Sequence, residues 1–91
     1  MPAIRLTIAG KRWTVKFVRK IMRDGVECDG LCDYAKNEIR IRSGLRGQEL
    51  ADTLAHEVMH GAGWHLHEDF VEQTASDIAA ALYHTGIRSK L

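Results

Sequence analysis

The fold of this chain is decided by the stretch His56-Glu57-Val58-Met59-His60. Residues four apart on an α-helix lie one above the other, so His56 and His60 can direct two imidazoles at one metal ion. Glu57 lies beside that face, where its carboxylate could accept a proton from water. Because a five-residue pattern has chance matches, it needs support from a true helix, a preceding strand and a third ligand.

Helical periodicity surrounds this stretch. Leu50, Leu54 and Val58 form an apolar stripe at helical spacing, which predicts a helix from about residue 47 to 61. The Gly-Ala-Gly run at residues 61–63 is a typical C-terminal stop. A second helix is predicted over residues 68–84, with a buried stripe that consists of Val71, Thr74, Ala75, Ile78 and Leu82.

The residues before this helix alternate between apolar and polar with the period of β-strands. Residues 4–8 and 13–18, joined by a glycine-containing turn, predict a hairpin, and residues 38–42 predict a third strand. Residues 23–33 contain two Asp-Gly pairs and no periodicity, which predicts a loop. The predicted fold class is α+β: one domain over residues 1–91, with a small three-stranded sheet followed by two helices.

Charge is distributed unevenly along the 91 residues. Residues 1–46 hold 11 Lys/Arg against 5 Asp/Glu, a net of +6, whereas residues 47–91 hold 2 against 7, a net of −5. Because the basic residues alternate with apolar ones in predicted strands, we interpret them as a solvated sheet face and expect no nucleic-acid partner. All five histidines lie in the acidic half.

The sequence contains no segment typical of membrane insertion or secretion, and this bears on the location of the protein and on the state of its cysteines. No apolar run approaches the roughly 18 residues of a membrane helix, and the N-terminus has no secretory h-region. We therefore expect a cytoplasmic protein that has no membrane partner. Cys28 and Cys32 are accordingly expected to be thiols rather than a disulfide, with a metal or redox pair as the alternative.

The third metal ligand should follow the glycine stop, since a catalytic zinc site usually has three protein ligands. One common spacing would place a histidine at Leu66, but His65 and His67 lie one residue to either side. The second helix offers two further candidates, Glu68 and Glu72, one turn apart. The residues alone leave these alternatives open.

A family resemblance narrows the choice. Residues 72–82 read Glu-Gln-Thr-Ala-Ser-Asp-Ile-Ala-Ala-Ala-Leu and resemble the Glu-x-x-Ala-Asn-x-Phe-Ala-x-x-Leu helix of ImmA/IrrE-type metallopeptidases, with Ser76 replacing Asn and Ile78 replacing Phe. Residues 53–62 are similar to the metal helix of short phage-encoded zincins, or minigluzincins. The resemblance implies a zincin-like fold, a phage or prophage origin and Glu72 as the third ligand, with Glu68 as the competing candidate.

The expected function is that of a zinc-dependent peptide-bond hydrolase, a metalloendopeptidase. His56, His60 and Glu72 would hold Zn²⁺, Glu57 would act as the general base, and a peptide would add as a strand along residues 38–42. The alternative is a metal-stabilised regulatory or interaction module with little or no hydrolysis. The donor for the reaction's oxyanion is open among His65, His67, Tyr34 and Tyr83.

Overall fold

A four-stranded mixed sheet supports two helices in the computed structural model, which describes residues 3–87. The helices are α1 (Gly47–Ala62) and α2 (Glu68–His84), close to the predicted ranges. The strands, in chain order, are β1 (Ile4–Ile8), β2 (Lys11–Val18), β3 (Ile21–Arg23), β4 (Val26–Cys28), β5 (Gly30–Asp33) and β6 (Glu38–Arg42). The sheet order is β1-β2-β6-β5, and β3 and β4 form a separate two-stranded ribbon.

The predicted N-terminal hairpin is confirmed. β1 and β2 pair antiparallel, from Ile4 opposite Val15 to Ile8 opposite Lys11. The turn between them has positive φ at both central residues, Ala9 at 49° and Gly10 at 80°. Two such residues match the right-handed twist of a hairpin, which explains how so short a connection joins the strands.

The prediction of a loop over residues 23–33 is wrong, and the sheet has four strands rather than three. This segment contains the end of β3 and all of β4 and β5. Its first Asp-Gly pair, Asp24 and Gly25, forms the turn between β3 and β4, with φ of 52° and 79°. Strands of three or four residues are too short to show alternation, so only the turn signal was visible in the sequence.

The prediction that residues 38–42 form the open edge for a peptide is also wrong. β6 lies inside the sheet, parallel to β2 on one side and antiparallel to β5 on the other. Alternation along a strand reports which face is buried and says nothing about the strand's edges, so it could not distinguish a central strand from an edge strand. The edge strand on this side of the sheet is β5.

The core lies between the sheet and α1. Leu50, Leu54 and Val58 pack from α1 against a cluster of buried side chains, as the predicted stripe requires; the cluster consists of Ile8, Trp13, Val15, Ile39, Ile41 and Leu45. Cys28 and Cys32 are free thiols. Within residues 3–87, neither helix has the combination of length and apolar character needed to cross a bilayer.

The second helix buries a narrower stripe than predicted. Val71, Ala75 and Ala79 are buried, whereas Ile78 is 41% exposed. The reason is that α2 packs mainly on α1 and not on the sheet, so only one row of side chains four residues apart is covered. Two of the three buried residues are alanines, whose small side chains let the helices approach closely.

Candidate metal centre

Two histidines and one glutamate converge between α1 and the start of α2. The Nε2 atoms of His56 and His60 are 3.1 Å apart. Glu68 Oε1 lies 3.0 Å from His56 Nε2, and Glu68 Oε2 lies 3.1 Å from His60 Nε2. Within residues 3–87 these three form the group whose potential ligand atoms all lie within 4.8 Å of one another. We call this group the candidate metal centre.

The spacing of these atoms fits a tetrahedral ion. With bonds of 2.0–2.1 Å, ligands of such an ion are separated by about 3.3 Å, close to the separations in the candidate metal centre. The pKa of His60 is lowered, chiefly by burial, and the neighbouring Glu68 carboxylate opposes this shift. The neutral imidazole favoured by burial is the form that coordinates a metal.

The structure brings Glu68, not Glu72, into the candidate metal centre. Glu68 is the first residue of α2, directly after the five-residue connection from α1. Glu72 lies one turn further along and lines a groove beside His56. Because the connection is short, the first turn of α2 is the one held beside the end of α1 that carries His60. Packing of the helices therefore selects the glutamate that the sequence left as the alternative.

The two loop histidines lie outside the centre. His67 Nδ1 accepts a hydrogen bond from the backbone N–H of Asp69 at 3.2 Å, which makes His67 the N-cap of α2. The ring of His65 packs edge-to-face against Trp64, with centroids 5.9 Å apart. In the structure His67 thus caps a helix and His65 contacts a neighbouring ring, although both lie close in sequence to the candidate metal centre.

Glu57 is buried against β5, with 8% of its surface exposed. A Cβ atom on Gly30 would lie 2.8 Å from Glu57 Oε2, so the strand can approach only because residue 30 is glycine. Its carboxylate forms no hydrogen bond or ion pair with the described residues. Burial raises the pKa of Glu57; His56 and Arg23 lower it and Glu68 raises it further. A carboxyl group with a raised pKa suits proton transfer.

A cleft surrounds the candidate metal centre, and we call it the metal cleft. Besides the centre and Glu57, its walls include Arg23, Tyr34 and Trp64. The sequence indicates Tyr34 as a possible oxyanion donor and Trp64 as a residue of the core or of a site wall, but it does not single out Arg23. The only sequence signal for Arg23 is the Asp-Gly turn that follows it.

The hydroxyl of Tyr34 is oriented by the metal helix. It donates a hydrogen bond to the backbone carbonyl of His60 at 3.1 Å. Burial, chiefly, raises the pKa of Tyr34 to about 12, so the group stays protonated and able to donate. Burial also raises the pKa of the neighbouring Cys32 thiol to about 11, which keeps it neutral and weakly nucleophilic. Tyr83 lies elsewhere, against Gly47 at the opposite end of α1.

Comparison with known proteins gives no match to a family model, to a curated protein or to a solved structure. The function of the chain must therefore be inferred from the chemistry of the metal cleft.

Proposed function

We propose that the chain is a zinc-dependent peptidase in which His56, His60 and Glu68 hold the metal. Glu57 is the general base. One observation carries this proposal: two histidine nitrogens and a carboxylate converge within hydrogen-bonding distance. The buried carboxylate of Glu57, which has no partner among the described residues, opens on the same cleft. The resemblance of residues 53–62 to phage-encoded zincins supports the same activity, with a peptide or protein as the substrate and the cytoplasm as the location of the enzyme.

Two nitrogens and one carboxylate oxygen form a donor set typical of catalytic zinc, which keeps a further position for water or substrate. When bound, zinc supplies Lewis acidity: it lowers the pKa of a coordinated water and polarises a carbonyl. The side chains of the metal cleft supply the proton transfers and the remaining charge stabilisation.

Glu57 moves the proton in this proposal. Its raised pKa lets the carboxylate accept a proton from the attacking water and return it to the leaving nitrogen, which needs a proton to depart as an amine. Arg23 is a donor of the cleft wall that could meet the negative charge developing on the carbonyl oxygen. Tyr34 could do the same only by turning its single hydroxyl proton away from the carbonyl of His60.

In this proposal a peptide substrate binds along the open edge of β5. This edge replaces the one that the sequence predicted at residues 38–42. The backbone N–H of Arg42 donates to the carbonyl of Asp29 at 2.8 Å, which fixes the antiparallel register beside β6. Because backbone groups alternate along a strand, Gly30 and Cys32 then direct theirs to the open side. A peptide adding as a strand there would run directly past Glu57.

Glu57→Gln tests the proposal. Purified wild-type protein should bind about one zinc per chain and cleave members of a mixed peptide library, as read by mass spectrometry. Glu57→Gln should retain the zinc, because the residue is not a ligand, and lose at least about 100-fold in kcat, since general-base catalysis contributes 10²–10⁴-fold. Glu27→Gln, an exposed glutamate of β4, is the matched control and should retain both properties.

Two results would contradict the proposal. A protein that binds no zinc would remove its basis. A zinc-loaded wild type that is inert toward the library would instead support the regulatory or interaction module.

A further inference from the structure

Trp64 has an unusual exposure for its size. At 78% it is the most exposed of the large hydrophobic side chains in residues 3–87. It lies just after α1, in the connection to α2, and lines the metal cleft. Trp64 also lines a second cavity. A large apolar side chain that stays in water beside a reactive site is a candidate for contact with a ligand.

This second cavity, which we call the aromatic cavity, has walls formed by Trp13, Tyr34 and Trp64. Trp13 and Tyr34 pack edge-to-face with ring centroids 6.1 Å apart and an interplanar angle of 86°. The small residues at 61–63 form another wall, and the volume is about 650 Å³. That volume lies within the range of ligand-binding cavities. Among its described lining residues none is acidic, and Lys11 is the charged one.

The aromatic cavity adjoins the metal cleft, because Tyr34 and Trp64 line both. A peptide whose backbone lies in the cleft could therefore place one side chain between these rings. The groove on the other side of His56 has a different character: its described lining includes four carboxylates besides Glu57 and no Lys or Arg. The two ends of the site thus present different chemistry, and apolar side chains match only the aromatic end.

We propose that the aromatic cavity is the subsite that selects a large apolar side chain, preferably aromatic, next to the bond that is cleaved. This inference rests on the proposed function and names its substrate class: peptides with Phe, Trp, Leu or Met at that position. Trp64 closes the cavity over the bound side chain, and Trp13 and Tyr34 form its fixed wall.

The size of the preference follows from the surface removed from water. Fully burying a Phe or Leu side chain gives a gain that corresponds to about 10- to 100-fold in affinity over Ala at the same position. Removal of the Trp64 ring takes away one wall of the cavity and should lower this ratio by about 10-fold. Binding of peptides with no large side chain should change little.

The test measures binding without hydrolysis. Zinc-loaded Glu57→Gln protein is titrated against fluorescently labelled short peptides of Ala, Ser and Gly that carry Phe, Ala or Glu at one varied position, with anisotropy giving Kd. The Phe peptide should bind about 10- to 100-fold more tightly than the others. The same titration is repeated with Trp64→Ala and with Ala62→Phe, which fills the cavity from α1, each in the Glu57→Gln background.

Phe70→Ala in the same background is the matched control. Phe70 is 54% exposed on α2 and does not line the aromatic cavity, so its removal should leave the Phe preference intact. Equal binding of the Phe and Ala peptides would overturn the inference. Full selectivity in Trp64→Ala would also overturn it. So would sedimentation that shows a dimer of the wild type and a monomer of Trp64→Ala.

The inference and the proposed function can fail separately. Phe-selective binding that depends on Trp64, in a protein whose wild type cuts no peptide, would leave the subsite standing and remove the peptidase. Cleavage by the wild type with no preference for Phe over Ala would leave the peptidase standing and remove the subsite.

Discussion

Three glutamates differ in role because of where each lies relative to the helix ends. Glu57 is held against β5 with 8% exposure, which suits a base. Glu68 begins α2 and meets both histidines, at 3.0 and 3.1 Å. Glu72 lies one turn later, beside His56 and outside the centre. Three glutamates with the same side chain thus have different surroundings, because each lies at a different position along α1 or α2.

Glu68→Gln should weaken zinc binding far more than Glu72→Gln. A neutral amide in place of the ligand carboxylate should raise the Kd for zinc by more than the 10- to 100-fold that follows from loss of an outer-shell partner. Glu72→Gln should have an effect within or below that range. Competition with a chromogenic chelator measures both constants. The opposite order of effects would assign the third ligand to Glu72, as the family resemblance implies.

At the scale of elements, the close approach of β5 to α1 positions Glu57, the proposed base. A Cβ on Gly30 would lie 2.8 Å from Oε2 and 2.9 Å from Cγ of Glu57, and 3.0 Å from Cγ2 of Thr53. The strand thus fixes one side of the base while its open edge remains available for a peptide. The short β3–β4 ribbon that precedes it places Arg23 on the wall of the same cleft.

Gly30→Ala should impair catalysis and spare metal binding. The added methyl group must displace Glu57, and misplacement of a reacting group by about 1 Å can lower the rate by about 100-fold. The three atoms nearest the added methyl group belong to Glu57 and Thr53 and none to the candidate metal centre. The Kd for zinc should therefore remain near the wild-type value and serves as the internal control. Steady-state kinetics of the zinc-loaded variant measure the loss. An unchanged kcat/KM would show that Glu57 is not held in place by β5.

At the scale of the whole molecule, an ion cluster stabilises the centre of the sheet. Glu38, at the start of β6, is 5% exposed. Its carboxylate lies 2.7 Å from Lys16 Nζ and 2.9 Å from Arg40 Nη2. The hydrogen bond from Lys16, foremost, and the one from Arg40 lower the pKa of Glu38 although burial opposes them. Because the cluster joins β2 to β6, it supports the pairing that places β5 at the edge.

The stability of the chain should therefore fall in acid. A carboxylate with a lowered folded-state pKa contributes its full stabilisation above the unfolded-state pKa of about 4.5 and loses it as the pH falls further, through the folded-state value. Glu38→Gln should lower the free energy of unfolding by about 2 kcal/mol at pH 7 and flatten its dependence on pH in the acid range. Urea unfolding of the metal-free protein between pH 7 and pH 3 measures both effects.

Glu27→Gln is the control for this experiment, because Glu27 is an exposed residue of β4. It should change the free energy of unfolding by less than about 0.5 kcal/mol. An acid dependence that is equally steep in Glu38→Gln would show that other carboxylates govern the acid limb.

Local pattern was enough to predict several features of this chain. The apolar stripe of Leu50, Leu54 and Val58 predicts α1, and alternation predicts the hairpin of β1 and β2; the structure confirms both. Spacing alone places His56 and His60 on one face of α1, and their Nε2 atoms do converge. These features depend on residues close in sequence, whose geometry is set by the periods of the helix and the strand.

Only the tertiary structure decided which residues complete the site. The choice of Glu68 over Glu72 depends on how α2 packs on α1, and the role of β5 as the edge depends on which strands pair. Arg23 and Trp64 reach the metal cleft from segments far apart in the chain. Helical spacing in the His-Glu-x-x-His stretch was thus enough to bring together His56 and His60, the proposed ligands, and to place Glu57, the proposed base, beside them. Long-range packing, which no local period encodes, added Glu68 and the walls of the cleft.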